Sequence, residues 1–337
     1  MDNDRKSLIL KVAGSIIILI LLISQVNWDL QKFGAIVSQM KISWFLLSLT
    51  GVIMVLFLKS VRWKVLLKAE NCDYSIISSF FAYMSSYTIG LLTPGRIGEI
   101  ARLYYVREDK GLSMFRSFKS IVTDRIFDLA LLFWFGSAGL LFFYEVLGER
   151  STIIYLLVSG LVLFVLWLLG TLVLKVMKSE RKLVLFLKES WTEMFELMML
   201  IPWCLTLLSY LLFYVANWLI LYSLGYHLSL IEVGFILSIM SLVTLIPITL
   251  AGFGTREASL VFLFGFYSLS PEAAIVFSLL QFLAFFFWGG IIGWIIWLYK
   301  PVQMSLIKND AIKVKNWIMK MGSDNKLENE SAERSSQ

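Results

Sequence analysis

Charge is scarce in this sequence. Only 16% of its 337 residues are Asp, Glu, Lys or Arg, where a soluble domain carries roughly 25%. That deficit excludes a water-soluble domain of any size and points to lipid. Cysteine is nearly absent. Cys72 and Cys204 are the two present, and neither sits in a C-x-x-C or zinc-like spacing, which argues against a redox or zinc site. The single histidine, His227, has no partner four residues on, so a helical metal site is not expected. No strand precedes a glycine-rich loop, so neither a nucleotide fold nor direct use of ATP is expected. No cofactor is called for. The formal charge is +6, but the basic residues collect between apolar runs. This fits an anionic membrane surface and not nucleic acid.

What the chain has in abundance is apolar length. Hydrophobic residues make up 58%, with 12 Trp, 13 Tyr and 26 Phe, as suits side chains facing lipid and its interfaces. A helix crossing ~30 Å of hydrocarbon needs about 20 apolar residues. The runs that approach this are Leu8 to Val26, Ser43 to Leu58, Ser75 to Thr93, Ile126 to Tyr144, Thr152 to Leu174, Ile201 to Leu224, Leu228 to Ile246 and Ala273 to Tyr299, with a shorter piece, Ser259 to Leu269. Arg5, Lys6 and Lys11 precede the first run, and no small-residue cleavage site follows it. It reads as an uncleaved first helix.

The basic residues set the topology. One group is Lys59, Arg62, Lys64 and Lys68. A second is Arg96, Arg102, Arg107, Lys110, Arg116 and Lys119. A third is Lys175, Lys178, Arg181, Lys182 and Lys188, and Lys300, Lys308, Lys313 and Lys315 follow the last run. All are expected in the cytoplasm, with both termini. The run from Ser75 to Thr93 has basic groups on both sides, so a simple crossing would carry the second group outside. The conflict disappears if this run enters, breaks at Pro94-Gly95 and returns. The same reasoning makes Leu228 to Ile246 and Ser259 to Leu269 a second hairpin, entering from the other face. The expected fold is an all-α polytopic membrane protein of about six full spans plus two re-entrant hairpins in an inverted repeat. Residues 1–300 form one transmembrane domain and 301–337 a cytoplasmic tail, first basic and then disordered.

Each hairpin turns on a proline followed by glycines and a charged pair. The first reads Pro94-Gly95-Arg96-Ile97-Gly98-Glu99. The second reads Gly252-Phe253-Gly254-Thr255-Arg256-Glu257, shortly after Pro247. Irregular backbone at membrane depth survives only where protein or a wet cavity receives its polar groups. Guanidinium is a planar, permanent cation suited to phosphate. Arg96 and Arg256 are therefore the candidate lipid-phosphate ligands, with Glu99 and Glu257 orienting them or coupling protons. The other reading makes these ordinary ion pairs, in a surface loop or pinning two helices. Asp124, Arg125 and Asp128 open the fourth run. Asp124 and Asp128 share a helical face. They line the mouth of the same cavity, or they are helix-start acids satisfying the helix dipole.

Taken in this order, the Pro94–Glu99 stretch, Asp124-Arg125-Ile126-Phe127-Asp128 and the Gly252–Glu257 stretch resemble the lysylphosphatidylglycerol synthase transmembrane region family, also called flippase-like integral membrane proteins. The resemblance extends from the first helix to Tyr299. It implies a role in moving an anionic or modified lipid, a phospholipid or one linked to polyprenyl phosphate, between leaflets of the cytoplasmic membrane. In the multiple peptide resistance factor a domain of this kind is fused to a soluble lysyl-transferase. Here the tail is too short for that fold, so an enzyme is not the favoured reading. Membrane lipids are the expected partners, with lipid-modifying or glycosyltransferase enzymes alongside. The alternatives are a membrane component of lysyltransferase-type lipid modification and a non-transporting scaffold in envelope glycan synthesis.

Overall fold

The computed structural model describes residues 29–91, 93, 98–145, 152–176, 197–245, 252–301 and 312. The expected first span, Leu8 to Val26, and nearly all of the tail lie outside the described residues. Among those described there are helices and no strands. They are α1 (Leu30–Ser38), α2 (Ile42–Ala69), α3 (Ile76–Leu91), α4 (Ala101–Lys110), α5 (Met114–Phe143), α6 (Thr152–Val176), α7 (Leu200–Ser223), α8 (Leu230–Leu245), α9 (Thr255–Gly265), α10 (Pro271–Gln281) and α11 (Gly289–Tyr299). A π-helical stretch, Phe282–Trp288, joins the last two into one rod.

Among the described residues four helical rods are long and apolar enough to cross a membrane: Ile42–Ala69, Met114–Phe143, Leu200–Ser223 and Pro271–Tyr299. The backbone of α6, at 25 residues, has the length as well, about 37 Å at 1.5 Å per residue. Two spans run well past their expected limits. α2 continues eleven residues beyond Leu58, and α5 begins twelve residues before Ile126. Ser113 caps α5 by accepting from the Arg116 N–H at 3.4 Å. One element was not foreseen. α1 is a nine-residue helix capped by Asp29, whose carboxylate accepts from the Gln31 and Lys32 amides at 2.9 and 3.1 Å. It lies against the start of α10, where the Asp29 N–H donates to Glu272.

The helices α3 and α4 form the first hairpin. Its two ends lie together: the Tyr74 hydroxyl, just before α3, donates to Asp109 near the end of α4 at 2.6 Å. The tip is held by close backbone approach. A Cβ on Gly98 would lie 2.5 Å from the Ile89 carbonyl oxygen, and one on Gly90 would lie 2.7 Å from Glu99 Cγ. The Gly98 N–H donates to Thr93 Oγ1 at 2.7 Å. Small residues let the hairpin seat closely on its neighbour. A Cβ at Gly293 of α11 would meet the Met84 carbonyl oxygen of α3 at 2.5 Å.

The helices α8 and α9 form the second hairpin. Ser229 and Glu232 at its start and Phe266 and Tyr267 at its end line one cavity of about 220 Å³ with Phe142 and Phe143 of α5. The rod Pro271–Tyr299 relates the two hairpins. It starts four residues after Tyr267, at the mouth of the second hairpin. It ends at the mouth of the first, where Lys300 Nζ pairs with Asp109 and the Tyr105 hydroxyl donates to the Lys300 carbonyl at 2.8 Å. The hairpins therefore open at opposite ends of this rod. The tips of both reach the middle of this rod. Leu91 packs on Gly290, and Arg256 bonds Ser278.

Asp109 ties one mouth shut. Burial by itself would raise its carboxyl, but hydrogen bonds from Lys300 and Tyr74 outweigh that and hold it below its ordinary value. A depressed carboxyl stabilises the fold fully above its unfolded pKa of about 3.9. The contribution is lost as pH falls through the lower folded value. Asp109→Asn is thus expected to lower the melting temperature at pH 7 and to make less difference at pH 3. Thermal unfolding of both proteins in detergent checks this, and a gap that widens on acidification would contradict it.

Candidate functional site

Pro94, Gly95, Arg96 and Pro247 lie outside the described residues. The other candidates fall into two buried clusters. The first is built on α5. Asp124 and Asp128, one turn apart, face α2 and α4, and both are almost wholly buried. They are not helix-start acids. α5 begins at Met114, so Asp124 lies about 15 Å along the helix, beyond the reach of the dipole of the first turn.

The partners of these carboxylates correct the reading of Lys59, Arg62 and Arg102 as loop cations. Lys59 and Arg62 belong to α2, and Arg62 has no exposed surface. Its Nε donates to Asp124 Oδ1 at 2.8 Å, and Nη2 approaches the same oxygen at 2.7 Å. Its Nη1 donates to Asp128 Oδ1 at 2.8 Å and to Thr206 Oγ1 of α7 at 3.0 Å. Arg102 of α4, also fully buried, donates through Nη1 to Asp124 Oδ2 at 3.0 Å and through Nη2 to Glu99 at 3.3 Å. Tyr83 of α3 places its ring 4.6 Å from that guanidinium. Lys59 donates to Asp128 Oδ2 at 2.9 Å and lies 4.8 Å from the Tyr210 ring.

Arg125 stands apart. Its Nη2 pairs with Glu99, and its contacts to Asp124 and Asp128 are both long, at 3.6 Å. Its side chain is 34% exposed while each of the other six charged groups is 16% or less. Its Nε is buried with no hydrogen-bond partner among the described residues. Desolvating seven charges costs several kcal/mol each, which only dense mutual pairing offsets. Among the described residues, four cations meet three carboxylates, and Arg125 is the cation with bonding capacity left over.

The second cluster sits at the tip of the second hairpin. Gly252 and Gly254 hold φ of +79° and +89°, a region that costs a side-chained residue about 1 kcal/mol or more. They turn the chain into α9 so that the Glu257 carboxylate accepts from the Gly254 N–H at 2.7 Å. Arg256 donates to Glu257 Oε1 through Nη2 at 2.7 Å and to Ser278 Oγ through Nε at 2.8 Å. Ser278 in turn donates to Glu257 at 2.6 Å. Phe253, Phe282 and Phe286 surround the guanidinium at 5.6 to 6.0 Å. This cluster is a closed ion pair fastening the hairpin tip to the central rod.

The π-helical stretch begins four residues after Ser278. Its widened turn leaves the Phe285 carbonyl to the Tyr87 hydroxyl of α3, 2.6 Å away. Nearby, Gln281 donates to Asn217 of α7 at 2.8 Å. Such segments occur often at functional sites. Here one separates the points where the two tips touch the rod.

The comparisons with known proteins agree with this architecture. A UPF0104 membrane protein of Methanocaldococcus jannaschii is 25% identical over 294 aligned residues, covering 78% of this chain and 84% of that protein. The family described as the lysylphosphatidylglycerol synthase transmembrane region matches residues 8–293. That match takes in both hairpins, both charged clusters and most of the central rod, and the chain belongs to this family.

Proposed function

We propose that this protein moves an anionic or modified lipid, a phospholipid or a polyprenyl-phosphate-linked one, between the leaflets of the cytoplasmic membrane. The observation that carries the reading is Arg125. It is a guanidinium within a buried ionic network, partly open, with a donor to spare. A lipid phosphate is the membrane anion that such a fork recognises. Arg96, between Thr93 and Gly98 in the sequence, is the second candidate cation for the headgroup. Arg256 is committed to Glu257 and Ser278 and holds the opposite tip in place. Lys64, Lys68, Arg107, Lys110, Arg116 and Lys300 crowd the face where the first hairpin opens. The positive-inside rule makes that face cytoplasmic. Opposed broken hairpins around a shared rod suit alternating access. Lipid-modifying or glycosyltransferase enzymes would supply or consume the lipid.

The test is reconstitution into liposomes with acyl-labelled phosphatidylglycerol, phosphatidic acid, a polyprenyl phosphate and phosphatidylcholine. Leaflet exchange is read by a membrane-impermeant quencher. Anionic lipids are expected to exchange faster with protein present, and phosphatidylcholine at the protein-free rate. Equal rates for all four lipids, with and without protein, would overturn the proposal.

A further inference from the structure

Among the described residues the buried network holds seven charged side chains, and six of them are poor places to change a proton. The guanidiniums of Arg62, Arg102 and Arg125 stay protonated in any protein environment. Every carboxylate lies between at least two cations. Asp124 accepts from Arg62 and Arg102. Asp128 accepts from Arg62 and Lys59. Glu99 faces Arg102 and Arg125. Protonating any of the three would weaken two ion pairs at once.

Lys59 is different. Among the described residues its one carboxylate partner is Asp128, at 2.9 Å. Were the ammonium to become an amine, Asp128 would keep Arg62 at 2.8 Å and Arg125 at 3.6 Å. Two like charges press on Lys59, Arg62 from its own helix and Arg125 from α5. α7 offers it only the Tyr210 ring and, beyond Arg62, the Thr206 hydroxyl. Tyr83 of α3, Glu99 just before α4 and Arg102 of α4 stand on the far side of Asp124. The Lys59 side chain keeps 16% of its surface open.

We infer that Lys59 is the proton-binding site through which this network couples lipid binding to pH. Nζ gives up its proton at lower pH when the site is empty than when an anion has settled beside Arg125. The reason is local charge. An incoming phosphate draws Arg125 off Asp128 and adds a negative charge, and both changes favour the ammonium. By linkage the reverse holds, and a protonated Lys59 strengthens anion binding by the same factor. The coupling residue is thus the lysine and not Glu99 or Glu257.

This inference rests on the transport reading, and two measurements separate them. The first follows exchange of labelled phosphatidylglycerol from pH 6 to 9.5, with each protein scaled to its own maximum. The wild-type rate is expected to fall in a single-proton step as pH rises, and Lys59→Arg to show no such step. A variant profile identical to wild type would overturn the inference. The second needs no transport. Acetic anhydride labelling of Lys59 in the wild-type protein, read by peptide mass spectrometry, gives the midpoint of its titration. Adding dihexanoyl-phosphatidylglycerol is expected to raise that midpoint by roughly one pH unit. An unmoved midpoint would overturn the inference. A raised midpoint in a protein that moves no lipid would leave the proton site standing and remove the transport reading instead.

Discussion

Asp124→Asn is expected to destabilise the protein by about 3–5 kcal/mol, the usual result of breaking a buried ionic network from one side. The substitution keeps the shape and removes the charge, so the loss reports electrostatics and not packing. Asp124 accepts with both oxygens, Oδ1 from Arg62 and Oδ2 from Arg102. An amide has one oxygen and one NH₂ group. Whichever way the side chain lies, a donor must face a guanidinium. Two buried arginines then share less negative charge, and neither has water to turn to. Native proteins hold only about 5–15 kcal/mol of stability, so this variant should lose much of its folded yield and melt well below wild type in detergent. Pairing it with Arg102→Gln removes one of the stranded cations, and the double variant should cost less than the sum of its parts. A variant that melts with the wild type would show that Asp124 does not hold the network together.

The network was half legible in the sequence. Asp124, Arg125 and Glu99 stood out because each breaks or borders an apolar run. The hairpins followed from the distribution of Lys and Arg, because a simple crossing at Ser75 to Thr93 would have placed the most basic segment outside. Lys59, Arg62 and Arg102 did not stand out, since a cation just past an apolar run looks like the start of a cytoplasmic loop. The corrective signal was present. Trp63, Leu66 and Leu67 continue the helical spacing of Val52, Val55 and Leu56, and all six are buried. A helix that keeps an apolar face beyond its first lysine has not yet left the protein interior, so Arg62 had to be buried with it. The π-helical stretch had no such signal. Phe282–Trp288 is uniformly apolar, and the partner that takes up the Phe285 carbonyl, the Tyr87 hydroxyl, is 198 residues away in the sequence. α1 escaped notice because nine residues carrying one lysine match no membrane-span template.

Arg125→Ala should have the opposite character, removing lipid transport and leaving the fold intact. The contrast with Asp124 follows from the pairing. Without Arg125, Asp124 keeps Arg62 and Arg102, Asp128 keeps Arg62 and Lys59, and Glu99 keeps Arg102. No carboxylate is stranded, and the side chain removed is already one-third exposed. Stability should therefore change by no more than about 1 kcal/mol, as for a partly exposed pair. A headgroup phosphate would lose its fork. Truncating one partner of a desolvated, hydrogen-bonded charge pair costs about 2–5 kcal/mol, and each 1.4 kcal/mol is about tenfold. Exchange of labelled phosphatidylglycerol should thus fall by roughly 30-fold or more. Arg125→Lys should restore part of it, because an ammonium supplies the charge without the planar fork. Leaflet exchange and melting temperature, measured on the same preparations, separate a lost ligand from a lost fold. Should Arg125→Ala exchange lipid at the wild-type rate, the cation with bonding capacity to spare is not the lipid's contact, and Arg96 becomes the candidate in its place.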